Sequence, residues 1–247
     1  MRYSLTALAV LALVAAGCSG DRTGETPAST SITTTTTIPA TTTTTVAQLQ
    51  PHEVADRLFD AVLSGDGPAW FAVYAEDATF TNALGTTWTK AGYYQPAEDI
   101  YIPDDFNGDG VKSQADWDEF MMALAAAIGI TVDWDCASVS NTEAECTSSY
   151  QDHLQVWAGV PPIVQEYRYA VEGNHIVNSE WLTDPDENAV SDELTMTALG
   201  KYDRWLHQNY REQWDRVFHE PWGELRFVLL PEAIPIHEQR VAEFLSR

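Results

Sequence analysis

Long apolar runs are nearly missing from this chain of 247 residues, and the one exception, Leu5 to Ala16, lies at its start. Nothing after it is long and apolar enough to be a transmembrane helix. Basic residues are scarce as well: 13 Lys+Arg stand against 37 Asp+Glu, a formal charge of −24 at pH 7. A surface this acidic repels phosphate backbones and anionic headgroups, which excludes nucleic acid as a partner. Motifs of nucleophilic, metal or phosphate chemistry are absent: there is no G-x-S-x-G, H-E-x-x-H or C-x-x-C and no phosphate-binding glycine loop. The 6 histidines are scattered over different elements, without metal-ligand spacing. Cysteine occurs 3 times, at positions 18, 136 and 146.

What is present begins with an address. Met1-Arg2, the short apolar core and the small residues Ala15-Ala16-Gly17 have the layout of a secretory signal peptide over residues 1–17. The Ala15-Ala16-Gly17-Cys18 ending resembles the lipobox of bacterial lipoproteins. That resemblance implies lipidation of Cys18 and anchoring at the extracytoplasmic face of the cell membrane, where two or more acyl chains hold stably. Residues 18–50 are dominated by Thr, Ser and Pro, with Thr33 to Thr37 and Thr41 to Thr45 as pure runs. No hydrophobic period there offsets the entropy of ordering the backbone, so the segment reads as a disordered tether, or as a glycosylated stalk.

From Pro51 onward about 200 residues remain, enough for one sizeable core. Their cysteines fit an oxidising compartment. Ile130 to Val139 and Glu143 to Trp157 alternate as two strands about the turn Ser140-Asn141-Thr142, and Cys136 and Cys146 are equidistant from Asn141. They are expected to face each other as a cross-strand disulfide that pins the register; the alternative is two reduced, buried thiols.

His52 to Leu63 and the segment opened by Gly67-Pro68 carry apolar residues at helical spacing, and Ala78 to Asn82 reads as a short strand. A loop then runs to Gly110. Gln114 to Ile128 places Trp117, Phe120, Met121, Leu124 and Ile128 on one helical stripe. Ile163 to Glu172 and His175 to Thr183 form a hairpin across Gly173-Asn174, with glycine first as in a type II′ turn. Helical patterning resumes from Ser191 to Phe218 and again from about Pro235 to Leu245.

This order predicts an α+β fold: a cone-shaped, curved antiparallel sheet packed by N-terminal helices over residues 51–184, with a helical extension over residues 185–247. The Tyr74-Ala75-Glu76-Asp77-Ala78-Thr79-Phe80 segment, and the Val171-Glu172-Gly173-Asn174-His175-Ile176-Val177 hairpin ending in Trp181, resemble the SnoaL-like branch of the nuclear-transport-factor-2-like superfamily. The resemblance implies an interior pocket and a homodimer through the sheet. It does not choose between isomerases, dehydratases and domains that only bind.

Strand parity nominates catalytic candidates. Cys146, Ser148, Tyr150, Asp152 and Leu154 share one face if the strand runs on, which puts a carboxylate among apolar neighbours. Asp152 with Tyr150 and Tyr167 would then suit acid-base chemistry. Alternatively Asp152 lies at the strand end or pairs with a tyrosine or Arg168. Asp105-Phe106-Asn107-Gly108-Asp109-Gly110-Val111 through Asp116 follows the spacing of an EF-hand loop, with Asp105, Asn107, Asp109, Val111 and Asp116 as calcium ligands. Lys112 where a hydrophobe is usual, Asp116 where Glu is usual and Tyr101-Ile102-Pro103 in place of an entering helix depart from that pattern. The competing reading is an Asx-Gly turn that caps the following helix.

The aromatic-rich C-terminal region, with Tyr202, Trp205, Tyr210, Trp214, Phe218, Trp222 and Phe227, is expected to pack on the cone or close its mouth. Missing catalytic constellations and export together favour an anchored domain that binds a small apolar ligand or a protein partner. An acid-base isomerase or dehydratase is the alternative.

Overall fold

Helix α1 (Pro51–Ser64) begins with a capping box between Gln50 and Glu53 and stops at Gly65, whose φ of 67° favours glycine. A computed structural model describes residues 48–95, 104–220 and 225–247. The signal segment, Cys18 and the Thr runs lie outside the described residues, as do Tyr101-Ile102-Pro103 and Trp222. Val54, Leu58, Phe59 and Val62 form the buried stripe of α1. Asp66 caps α2 (Gly67–Val73) by accepting from the Ala69 N–H at 2.9 Å. Gly67 permits close approach: a Cβ there would stand 2.4 Å from Glu119 Cγ.

The sheet follows. Its strands are β1 (Tyr74–Thr81), β2 (Thr87–Thr89), β3 (Thr131–Ser138), β4 (Glu143–Gln151), β5 (Ile163–Glu172) and β6 (His175–Trp181), in the order β2-β1-β6-β5-β4-β3. All neighbours are antiparallel except β1 and β6, which run parallel. Strand β2 and the short helix α3 (Lys90–Tyr93) lie where the sequence suggested only a loop. Gly173 and Asn174 have φ of 55° and 72°, so both central residues are left-handed. The β5–β6 turn is therefore of type I′ rather than II′.

Helix α4 (Gln114–Ile128) is buried on two sides. The expected stripe of Trp117, Phe120, Met121 and Leu124 packs in one core, whereas Ala115 and Met122 on the opposite face belong to the other. The cone core also takes α1, α2 and the concave sheet face. The second core joins α4 to α5 (His153–Ala158), α6 (Ala189–Asn209), α7 (Arg211–Val217), the hairpin β7 (Phe218–His219) with β8 (Arg226–Phe227), and α8 (Ala233–Leu245). The helix expected over Ser191 to Phe218 is thus broken at Tyr210. Pro235 falls in the first turn of α8, where its missing N–H has no intrahelical acceptor to lose. Among the described residues no helix is long and apolar enough to cross a membrane.

Candidate functional site

The register of β3 and β4 sets Cys136 directly opposite Cys146, and the two form a disulfide with a Cα–Cα distance of 4.1 Å. The sequence expectation holds for this pair. It fails for the strand beyond it, because β4 ends at Gln151 and the chain turns into α5. Asp152 is the N-cap of that helix. Its Oδ1 accepts from the Gln155 N–H at 2.7 Å, and the Gln155 side chain accepts from the Asp152 N–H at 2.8 Å. Burial raises the Asp152 pKa, opposed by the backbone hydrogen bonds from Gln155 and Leu154.

Consequently the three nominated residues do not converge. Tyr150 and Tyr167 lie in the cone core, while Asp152 lines a cavity on the far side of α4. That cavity, of about 30 Å³, is bounded by α4, α5, α6 and α8 and has room for about two waters. His237 and Tyr202 also line it, with 3.2 Å between His237 Nδ1 and the Tyr202 hydroxyl. His237 is 1% exposed, and burial pushes its pKa down to about 3.

The loop with calcium spacing is a set of Asx turns leading into a helix cap, and it gives the calcium expectation no support. Asp105 accepts from the N–H groups of Gly108, Asp109 and Gly110 at 2.8–3.1 Å. Asn107 accepts from the Asp109 N–H and Asp109 from the Val111 N–H. Asp116 accepts from the N–H groups of Asn107 and Ser113, the second being part of the capping box of α4. These oxygens accept from backbone donors in the manner of Asx turns. Among the described residues, no group of three or more His, Cys, Asp or Glu side chains is arranged to hold a metal ion.

The chemically distinctive interior is that of the cone. Alternation on β4, β5 and β6 turns Ser148, Tyr150, Gln165, Tyr167, Tyr169, Ser179 and Trp181 inward, all buried. Tyr74 at the start of β1 joins them and hydrogen-bonds Ser179. Burial raises the pKa values of Tyr74, Tyr93, Tyr167 and Tyr169, so these phenols stay neutral at physiological pH. From α4, Asp118 is 7% exposed; its Oδ1 accepts from Gln114 Nε2 at 3.0 Å and its Oδ2 has no hydrogen-bond partner. Burial holds its pKa well above the usual carboxylate range, against the Gln114 hydrogen bond, and its proximity raises that of Tyr93. The next residue, Glu119, is pushed up to about 7 by burial and by the neighbouring Asp116 charge.

Sequence reasoning nominated Asp152 and missed Asp118. The signal for the first was at hand, since Asp152-His153-Leu154-Gln155 has capping-box spacing. No comparable signal marked Asp118, which sits on the helix face that an isolated amphipathic helix would expose.

The outer sheet face is polar and acidic. Asp133, Asp135, Glu143, Glu145, Glu166 and Glu172 are exposed there, and Arg168 bridges Glu145 at 2.9 Å and Glu180 at 3.3 Å. A homodimer through this face would set carboxylates against carboxylates.

No protein-family model matches the chain, and no curated protein matches it. Solved structures are similar to just over half of the chain. One is an NTF2-like protein of unknown function from Cytophaga hutchinsonii, 10% identical over 57% of this chain and 96% of that one, with a TM-score of 0.35. A protein with a ketosteroid isomerase-like fold from Catenulispora acidiphila, in complex with trimethylamine, is 15% identical over 56% and 88%, with a TM-score of 0.34. A Mycobacterium tuberculosis protein in complex with estradiol-17β-hemisuccinate is 16% identical over 56% and 97%, with a TM-score of 0.34. Helices packed on one face of the sheet make this an α+β fold.

Proposed function

We propose that the chain is an extracytoplasmic binding module, anchored through a lipid on Cys18 and a tether over residues 18–50, whose cone takes up a small, largely apolar ligand. The observation that carries this reading is the make-up of the concave face: aromatic rings and neutral hydroxyl and amide groups, with phenols kept un-ionised by burial. Such a lining favours apolar bulk with a few oriented hydrogen bonds. Asp152, the acid nominated for catalysis, is held in a helix cap outside this interior.

One observation favours a second reading. The buried, unpartnered Oδ2 of Asp118 beside Tyr93 has the environment of a general acid. Native mass spectrometry of the full chain, extracted from its source in mild detergent, tests the first reading. A diacylglyceryl mass on Cys18 together with a co-purified apolar molecule is the expected result. A Cys18→Ser variant that stays in the membrane fraction would refute the anchor. Turnover of the co-purified molecule, abolished in Asp118→Asn, would replace the binder with an enzyme.

A further inference from the structure

The loop before α4 holds the single Asn-Gly step of the chain, Asn107-Gly108, and surrounds it with the groups that an attack of one residue on the other requires. A backbone nitrogen is a poor nucleophile and a side-chain amide a poor electrophile, so ring closure between them is slow unless a base and an oxyanion donor assist it. Glycine removes a steric obstacle first. Gly108 has no Cβ to stand in the path of its own nitrogen; it is exposed, with φ of 76°, while Asn107 is half-buried.

Two hydrogen bonds supply the assistance. The Gly108 N–H donates to Asp105 Oδ1 at 2.8 Å, so a carboxylate sits on the proton that must leave the attacking nitrogen. Asn107 Oδ1 accepts from the Asp109 N–H at 3.0 Å, a donor shared with Asp105 Oδ1 at 3.1 Å. Negative charge develops on that Asn107 oxygen as its carbonyl carbon is attacked, and the Asp109 N–H is already in place to stabilise it. At its other end the Asn107 amide is hydrogen-bonded to Glu119, which assigns the NH₂ and oxygen ends of the side chain. Nucleophile, base and oxyanion donor therefore meet within one turn.

We infer that Asn107-Gly108 is a self-modification site, at which the chain converts its own asparagine to aspartate and isoaspartate through a succinimide. The Gly108 nitrogen bonds to Asn107 Cγ and its proton passes to Asp105. The Cγ–Nδ2 bond then breaks, and that proton leaves with the side-chain nitrogen as ammonia. Water opens the ring at either carbonyl, so one water is consumed, one ammonia is released and no oxidant or reductant takes part. The change adds a negative charge among Asp105, Asp109 and Asp116 and replaces the amide donor to Glu119 by an acceptor. It falls where the Asn107 N–H holds Asp116 of the α4 capping box at 3.0 Å. Conversion therefore loosens the start of the helix that both cores share.

The full chain is incubated at neutral pH and digested at intervals, and amide, succinimide, aspartate and isoaspartate at position 107 are separated by peptide mapping with mass detection. A synthetic peptide of residues 104–112 is the reference for the unassisted rate. Conversion in the folded chain should be faster than in the peptide by about tenfold or more. A folded chain that converts more slowly than the peptide overturns the inference, since the loop would then protect the step. Asp105→Asn keeps an acceptor for the Gly108 N–H but removes the base, and should return the rate toward that of the peptide. An unchanged or raised rate in that variant overturns the role of Asp105. The products give a check that needs no variant: isoaspartate at position 107 is expected, and aspartate alone would show direct hydrolysis by water and overturn the ring-closure step. Asn107→Asp, which reproduces one product, should lower the Tm by about 2–4 °C, the loss of one hydrogen bond to a charged group. An unchanged Tm overturns the link to α4.

Discussion

Replacing His237 by Gln isolates one contribution to the pH dependence of stability. The imidazole is enclosed by the rings of Tyr202, Phe218 and Phe227, with the Tyr202 hydroxyl at Nδ1 and the Val217 carbonyl as its backbone neighbour. Burial lowers its pKa from 6.5 to about 3, so the folded state keeps it neutral while the unfolded chain takes up a proton below about pH 6.5. Stability is therefore full above pH 6.5 and falls as the pH drops toward 3. Integrating proton uptake by the unfolded chain from pH 7 to pH 5 gives a loss of about 2 kcal/mol. Asp118 and Glu119 act in the opposite sense. Their pKa values are raised in the folded state, so their contribution grows on acidification and shrinks as the pH rises through their folded values. The wild-type curve alone mixes these slopes, but they cancel in the difference between wild type and His237→Gln. Urea unfolding at pH 7, 6 and 5 should show the wild-type advantage shrinking by about 2 kcal/mol across the range. A difference that stays constant would refute the assignment of His237 as a buried neutral imidazole.

Other perturbations separate structural from chemical roles. Asp152→Ala should cost about 1 kcal/mol through loss of the α5 cap, and Asp152→Asn should cost a few tenths at most, both measured by chemical denaturation. Cys136→Ser with Cys146→Ser should lower stability by about 2–3 kcal/mol, and added reductant should then have no further effect on the Tm. Asp105→Ala, which strips the acceptor from three N–H groups, should cost about 1–2 kcal/mol; millimolar calcium should shift neither wild type nor variant in a thermal melt.

The parts of the fold visible in the sequence are those with a strong period or a symmetric spacing. Cys136 and Cys146 about Asn141 gave the hairpin register residue for residue, and the stripe on α4 named the right inward face. Failures came where a local rule was carried past its end. Alternation placed Asp152 inside a strand that had already turned into a helix, since period-2 patterning carries no stop signal of its own. The β1–β2 pairing and the β7–β8 hairpin were too short for periodicity to register. Asp118 was hidden for a different reason: burial of a second helix face depends on what distant segments bring against it. The charge pattern of α4, read alone, points Asp116, Asp118 and Glu119 to water.

Because α4 is a wall common to both cores, neither compartment has an independent boundary. Trp117, Phe120 and Leu124 would be bared to solvent if the extension detached, and the cone would lose the side on which Ala115 and Met122 sit. The two halves should therefore melt together, in one calorimetric transition. A side chain that moves on one side of that helix shifts the packing on the other, so the C-terminal segment reports changes in a core to which none of its residues belongs.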